Sequence, residues 1–182
     1  CRIMIDIEKA GEIKGWQTPS ELKWLAQHAN GCNTIVEVGS YYGRSARCIL
    51  DNSDAVLYCI DPWNGPILNQ FNQPVGGVNE YVYQQFLKNM DGHYDSGRCK
   101  PFRGVLKDFM IPDKIDMIFI DGDHRYEAVK NDINLALGMV REGGIIAGHD
   151  YHEGWPGVVR AVQETFGNDF RLYDNIWWVV NE

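Results

Sequence analysis

No Cys-x-x-Cys pair occurs in this chain, and its five cysteines are an odd number. That excludes a disulfide framework as the organising device and predicts free thiols in a reducing compartment, with a cytoplasmic location expected. Cys48 and Cys59 sit inside apolar runs and are expected to be buried as small hydrophobes. No run of five Lys or Arg exists, and 25 Asp plus Glu face 17 Lys plus Arg, a formal net charge of −8. A phosphate backbone repels such a surface, so nucleic acid is not the expected partner. A membrane span is missing too: the longest uncharged stretch, residues 62–79, is full of Pro, Gly, Asn and Gln and would not enter lipid. The first residues carry no secretory leader pattern. The sequence opens on Cys1 and not on Met, which predicts a native start upstream.

What is present is an ordinary globular balance. Hydrophobic residues make up 45% and charged residues 23% of 182 positions, enough for one domain with a real core. No internal repeat or second domain is visible, so residues 1–182 read as a single domain, with 1–33 a helical segment packing on the core. Thr18-Pro19-Ser20-Glu21 is a helix start: a Thr cap, Pro at the first helical position and Glu three after the cap. The helix runs to Gly31. Thr34–Ser40 is a buried strand broken by Glu37, Gly43–Leu50 a helix, and Ala55–Ile60 a second strand closed by Asp61-Pro62. Residues 62–78 form a long loop, a candidate lid over a binding site. Beyond it the pattern predicts a helix over 79–90, strands over 98–103 and 114–120, and a helix over 125–140. Gly143-Gly144 then turns into a strand over 145–148, a helix follows over 156–166, and a hairpin-like pair of strands covers 170–173 and 176–180. The apolar run Ile176–Val180 must be covered, by core or by a neighbouring subunit, which leaves a homo-oligomer open.

Strands alternating with helices make a mainly parallel, doubly wound α/β sheet, here of seven strands with the last antiparallel, in three layers. Such sheets bind ligands at the carboxyl ends of their strands. The first strand ends Glu37-Val38-Gly39-Ser40-Tyr41-Tyr42-Gly43. A dinucleotide turn, G-x-G-x-x-G, would place glycine at 39, 41 and 44, where this chain has Gly39, Tyr41 and Arg44. The pattern acid-x-G-x-G-x-G matches better, at Glu37, Gly39 and Gly43. Asp61 lies 22 residues after Gly39 at the end of the next strand, where a carboxylate can accept two ribose hydroxyls. A second constellation gathers Asp121, Asp123 and His124 after the fourth strand with His149, Asp150 and His152 after the fifth. Carboxylates with open positions suit Mg²⁺, and imidazole shifts the balance toward Mn, Fe or Zn. Asp123 has an ordinary reading as well, as a cap for the following helix.

With these motifs in order, the chain resembles the class I S-adenosylmethionine-dependent methyltransferases over roughly residues 18–180. Ile120-Asp121-Gly122-Asp123-His124-Arg125-Tyr126 and Gly143-Gly144-Ile145-Ile146-Ala147-Gly148-His149-Asp150-Tyr151 are similar to a small-molecule O-methyltransferase group that includes the macrocin-type and cephalosporin-hydroxylase-like proteins. The resemblance implies a Rossmann-like fold, S-adenosylmethionine as cofactor and a small hydroxylated substrate. It implies that Glu37, Gly39, Ser40, Gly43, Asp61, Trp63 and Asp121 surround the cofactor, Trp63 either stacking on adenine or packing. In metal-dependent relatives an Asp at the Asp121 position and an acidic pair after the fifth strand hold the metal, Mg²⁺ or another divalent ion. Here that pair is His149-Asp150. The relatives' general base maps to His124. An NAD(P)-dependent oxidoreductase and a non-catalytic cofactor-binding protein are the two alternatives on the same sheet, and fold alone does not separate them.

Overall fold

The computed structural model describes residues 4–68, 73–111 and 113–182. Its helices are α1 (Glu8–Glu12), α2 (Pro19–Ala29), α3 (Arg44–Asp51), α4 (Glu80–Asn89), α5 (Tyr126–Met139) and α6 (Pro156–Phe166). Its strands are β1 (Thr34–Val38), β2 (Val56–Ile60), β3 (Gly65–Leu68), β4 (Pro74–Val78), β5 (Cys99–Phe102), β6 (Ile115–Ile120), β7 (Val140–Gly148), β8 (Arg171–Tyr173) and β9 (Ile176–Val180). Among the described residues the main sheet has seven strands in the order β5-β2-β1-β6-β7-β9-β8. β5, β2, β1, β6 and β7 are mutually parallel, and β9 runs antiparallel between β7 and β8. This is the doubly wound, Rossmann-like class expected from the alternation of strands and helices.

The central strands β1, β2 and β6 are buried on both faces, which is why they read as near-continuous apolar runs. Alternate residues face opposite sides. Ile35, Leu57, Cys59, Met117 and Phe119 join a core under α1–α4, whereas Val36, Val38, Ile60, Ile118 and Ile120 join a second core under α5 and α6. Helices α1 and α2 lie against α3 on the first face. The helix start at α2 forms as the pattern predicts: the Thr18 hydroxyl accepts the Glu21 N–H, and the Glu21 carboxylate accepts the Thr18 N–H. Ile176, Trp177 and Val179 of β9 are buried within the chain, whereas Val180 at its end is exposed.

Two expectations change. The long loop over 62–78 contains the antiparallel pair β3 and β4, with Gly65 opposite Val78; its centre, residues 69–72, lies outside the described residues. Strand β7 starts at Val140, not at Ile145, because Val140 pairs with Ile115 before a bulge resets the register at Met117 and Ile145. Gly143 (φ +73°) and Gly144 therefore lie inside an irregular strand. A Cβ on Gly144 would stand 2.7 Å from the Asp116 carbonyl oxygen, so the bulge brings the two backbones together where only glycine fits.

Candidate active site

The strand order reverses at β1, whose neighbours are β2 and β6, and a cavity of about 1320 Å³ opens at the carboxyl ends of these strands. Gly39 leaves β1 with φ +87°. A Cβ there would fall 2.0 Å from the Asp121 carbonyl oxygen and 2.6 Å from the Gly122 Cα. Glycine at 39 is thus demanded by the approach of the β6 end and by backbone sign. Gly43, φ +89°, precedes α3, and a Cβ there would meet Met90 at 2.6 Å and Phe86 at 3.0 Å. Four non-glycine residues among those described have positive φ, and three of them, Tyr41, Trp63 and Asp150, stand at this edge. Strained backbone concentrated at one cleft is a mark of a functional site.

Two acids lie beside the turn. Glu37 is fully buried, and the Ser45 hydroxyl donates to its Oε1. Its Oε2 and the Ser40 hydroxyl are buried with no hydrogen-bond partner. Burial pushes the Glu37 carboxyl up to about 7, with the Ser45 hydroxyl offsetting part of the rise. Ser40 and Ser45 both line the cavity and Glu37 lies behind them, so the orphan Ser40 hydroxyl is suited to a polar group of a ligand. Asp61 also lines the cavity. Its Oδ2 accepts the Tyr41 N–H at 2.9 Å and its Oδ1 the Trp63 N–H at 2.7 Å, so each oxygen retains a lone pair. Burial raises its pKa and the two N–H donors oppose the rise. Trp63 does not line the cavity: it is fully buried, its rings lie 4.9 Å from Tyr83 and 4.8 Å from Phe86, and its indole N–H donates to the Tyr41 carbonyl. Its place is beneath the turn, in the packing role.

The β6 and β7 ends bring the second constellation together. His124 Nε2 lies 2.6 Å from Asp150 Oδ2 and 3.9 Å from Asp121 Oδ1, and the imidazole stacks on Trp155 at 4.2 Å. One ligand atom each from Asp121, His124 and Asp150 fall within 4.8 Å of one another, a spacing that fits a single divalent ion. His149 sits deeper. It is 4% exposed, with Nδ1 3.3 Å from Asp150 Oδ1 and 3.7 Å from Asp121 Oδ1, and Nε2 3.0 Å from Glu21 Oε2. Burial alone would lower its pKa, but Asp121, Asp150 and Glu21 outweigh it and push His149 up to about 12. Among the described residues, His149 is not one of the three whose ligand atoms gather within 4.8 Å of one another. For His124, burial lowers the pKa and the hydrogen bond to Asp150 with the nearby Asp121 overcomes it, a net rise. Asp150 is held well below the usual carboxylate range, because the two imidazoles outweigh its burial. Burial raises Asp121 despite His149. Asp123 also lines the cavity, accepting the Arg125 N–H at 2.9 Å and pairing with the Arg125 guanidinium. His152 is outermost, with Nε2 3.5 Å from Asp150 Oδ1.

Four further residues reach this site without having been singled out. Gln17 donates from Nε2 to Asp121 Oδ2 at 2.5 Å. Glu21 pairs with His149 and also accepts the Asn175 N–H through Oε1. Arg44, the third position of the failed dinucleotide pattern, turns its guanidinium to the carbonyls of Gly11 and Ile13 at 2.7 Å and Gln17 at 3.0 Å. Asp132 lines the cavity from α5, its carboxyl pushed up to about 7 by burial and then by Asp123. The signal for Gln17 and Glu21 was present, in the cap sequence Gln17-Thr18-Pro19-Ser20-Glu21, but local helix grammar accounts for it in full.

Comparison with known proteins gives a family. A sequence model of the family described as "Methyltransferase domain" matches residues 36–151. An uncharacterized protein of Acanthamoeba polyphaga mimivirus is 46% identical over 145 residues, which is 72% of this chain and 58% of that protein. The chain thus spans under two thirds of that relative. Among solved structures, cofactor-bound Rv0187 from MTB superposes with a TM-score of 0.71 at 14% identity, covering 96% of this chain and 86% of that one. The O-methyltransferase TomG from Streptomyces achromogenes, involved in tomaymycin synthesis and solved in complex with SAM, gives 0.66 at 15% identity, covering 92% and 82%. At these identities the structures are evidence of shared fold.

Proposed function

The chain belongs to the methyltransferase-domain family, and from that premise we propose that it moves a methyl group from S-adenosylmethionine to a hydroxyl of a small metabolite. The observation that carries the reading is the His124–Asp150 pair at 2.6 Å, which shares one cavity with Asp61 and with the turn that holds the orphan Ser40 hydroxyl. When bound, S-adenosylmethionine supplies an electrophilic methyl on a sulfonium. Glu37 and Ser40 hold its ammonium end, Asp61 accepts its ribose hydroxyls through the free lone pairs, and the N-terminus of α3 favours its carboxylate. Asp150 orients the imidazole of His124 and favours its cationic form. His124 takes the acceptor's hydroxyl proton as the new O–C bond forms and the S–C bond breaks, leaving a neutral thioether. Asp121, His124 and Asp150 are the residues that would hold a divalent ion. Such an ion would supply Lewis-acid activation of the acceptor oxygen. Holding the ion and taking the proton through the same nitrogen are exclusive roles for His124, and its other ring nitrogen is left for the second.

An oxidoreductase is disfavoured by Tyr41 and Arg44: the first carries a side chain at the turn's closest point, and the second is committed to the N-terminal segment. Among the described residues no helix is long and apolar enough to cross a membrane. The cysteines described are free, and the sulfurs of Cys59 and Cys99 are 3.9 Å apart.

The test is thermal shift with adenosylmethionine, adenosylhomocysteine, NAD and NADP, followed by transfer of labelled methyl to a panel of hydroxylated small molecules. At about 100 times its dissociation constant a native-state ligand adds roughly 2.7 kcal/mol. Stabilisation by the two adenosyl compounds and labelled product are expected. Stabilisation by NAD or NADP alone would overturn the reading.

A further inference from the structure

Gln17 stands outside the motifs that define the site, yet it is 5% exposed and its amide makes a 2.5 Å hydrogen bond to Asp121 across 104 positions of sequence. The contact divides the two oxygens of that carboxylate. Oδ2 accepts the Gln17 N–H, and Oδ1 turns toward His149 Nδ1 at 3.7 Å and His124 Nε2 at 3.9 Å. A carboxylate at the end of a strand has one soft torsion, and a single donor on one oxygen settles where the other points. The donor's charge matters as well. Asp121, Asp150, His124 and His149 already crowd this corner, so a neutral amide orients Asp121 without changing the charge balance, whereas an acid there would repel it and a base would compete for it.

Gln17 is itself held. Arg44 Nε donates to the Gln17 carbonyl at 3.0 Å, and its Nη1 donates to the carbonyls of Gly11 and Ile13. The arginine stem lies over Gly15, where a Cβ would come within 2.6 Å of Arg44 Cδ, so glycine is needed for the arginine to seat. Trp16 stacks on Tyr41, the residue strained into the glycine turn, with centroids 5.2 Å apart. Residues 15–17 are therefore bound to the turn after β1 on one side and to the β6 end on the other.

We propose that Gln17 is a positioning residue of this site: it sets the Asp121 carboxylate so that Oδ1 faces the His124–Asp150 pair, and Arg44 holds Gln17 in place. Partners that orient metal-facing carboxylates typically affect metal affinity by about 10- to 100-fold. The role of the corner rests on the transferase reading, but the contact is tested by binding alone.

The experiment titrates Mn²⁺ into the whole chain by calorimetry and records the electron paramagnetic resonance spectrum of the bound ion, with adenosylhomocysteine affinity measured in parallel. Gln17→Ala is expected to weaken Mn²⁺ about 10- to 100-fold and alter the spectrum, with adenosylhomocysteine affinity unchanged. Gln17→Met keeps the volume without the donor and is expected to behave the same way; it also serves if the alanine variant does not fold. Arg44→Lys, which loses the fork that grips several carbonyls, is expected to show a smaller loss of the same kind. Wild-type Mn²⁺ affinity and spectrum in Gln17→Met would overturn the assignment, because packing would then be all that Gln17 contributes. Adenosylhomocysteine binding by wild type without Mn²⁺ binding would overturn it too. A wild-type chain that binds no adenosylhomocysteine but whose Mn²⁺ affinity falls in Gln17→Met would instead keep the assignment and remove the transferase reading.

Discussion

Glu21 Oε2 lies 3.0 Å from His149 Nε2, joining the first turn of α2 to the end of β7 in the interior of the protein. Glu21 is fully buried and His149 is 4% exposed. Burial raises the glutamate's pKa, and the contacts with His149 and with the Thr18 N–H turn the net shift downward. Removing one partner of a buried pair leaves an uncompensated charge, whereas removing both often costs little. Glu21→Leu and His149→Phe are each expected to destabilise the chain by about 3–5 kcal/mol. The double variant is expected to lose much less than the sum. Urea unfolding of the four proteins measures the coupling, and simple additivity would show that the pair is not the unit of stability.

The Gly39 backbone predicts a second result. Alanine there must hold φ near +87° and place its Cβ 2.0 Å from the Asp121 carbonyl oxygen. The left-handed penalty alone is about 1–2 kcal/mol, and the clash with backbone adds to it. Gly39→Ala is expected to lose at least about 2 kcal/mol of stability and to weaken adenosylhomocysteine through the displaced β6 end. A variant that melts like wild type would mean that the two strand ends can part freely.

Glu37 sets a pH dependence. Its carboxyl is raised by burial from 4.5 to about 7 in the folded state, so folding favours the protonated form. The stability from this group is fully present below pH 4.5 and is lost as pH rises through about 7, on the order of 3 kcal/mol in all. Glu37→Gln removes the titration. Its stability relative to wild type is therefore expected to be greater at pH 7.5 than at pH 4.5, read from urea midpoints. A ligand ammonium beside Glu37 favours the charged carboxylate, so adenosylmethionine binding near pH 6 should release a proton in wild type and not in the variant. Calorimetry in two buffers of different ionisation enthalpy detects it.

His124 carries the chemistry in the proposed transfer. His124→Ala is expected to keep adenosylhomocysteine binding while transfer falls about 10²- to 10⁴-fold. Full turnover of the variant would take the base role from His124. EDTA is expected to abolish transfer in wild type and Mg²⁺ to restore it. Chelator-insensitive transfer would leave Asp121 and Asp150 as groups that orient His124 and the acceptor.

Much of the fold was legible because its information is local and periodic. Buried parallel strands need apolar runs, the α2 start needs Thr18, Pro19 and Glu21, and a ligand turn after β1 needs Gly39 and Gly43. The bulge in β7 was not legible, since it depends on how closely Gly144 can approach Asp116. Nor was the β3–β4 pair, whose Pro- and Gly-rich sequence reads as loop until pairing across the turn is seen.

For the site, sequence alone determined which acids and imidazoles end the strands, and the alternation of elements gave the doubly wound class, while the strand order came from the structure. Only the tertiary structure decided how those groups share the work. It set His149 against Glu21, which lies 128 positions earlier and meets it from helix α2. It moved Trp63 into the core, and it paired His124 with Asp150. It also brought Gln17 to Asp121, a contact that no spacing rule encodes. The physical reason is that charge, burial and hydrogen-bond direction belong to neighbours in space, and the chain sets those neighbours only when the sheet closes its edges together.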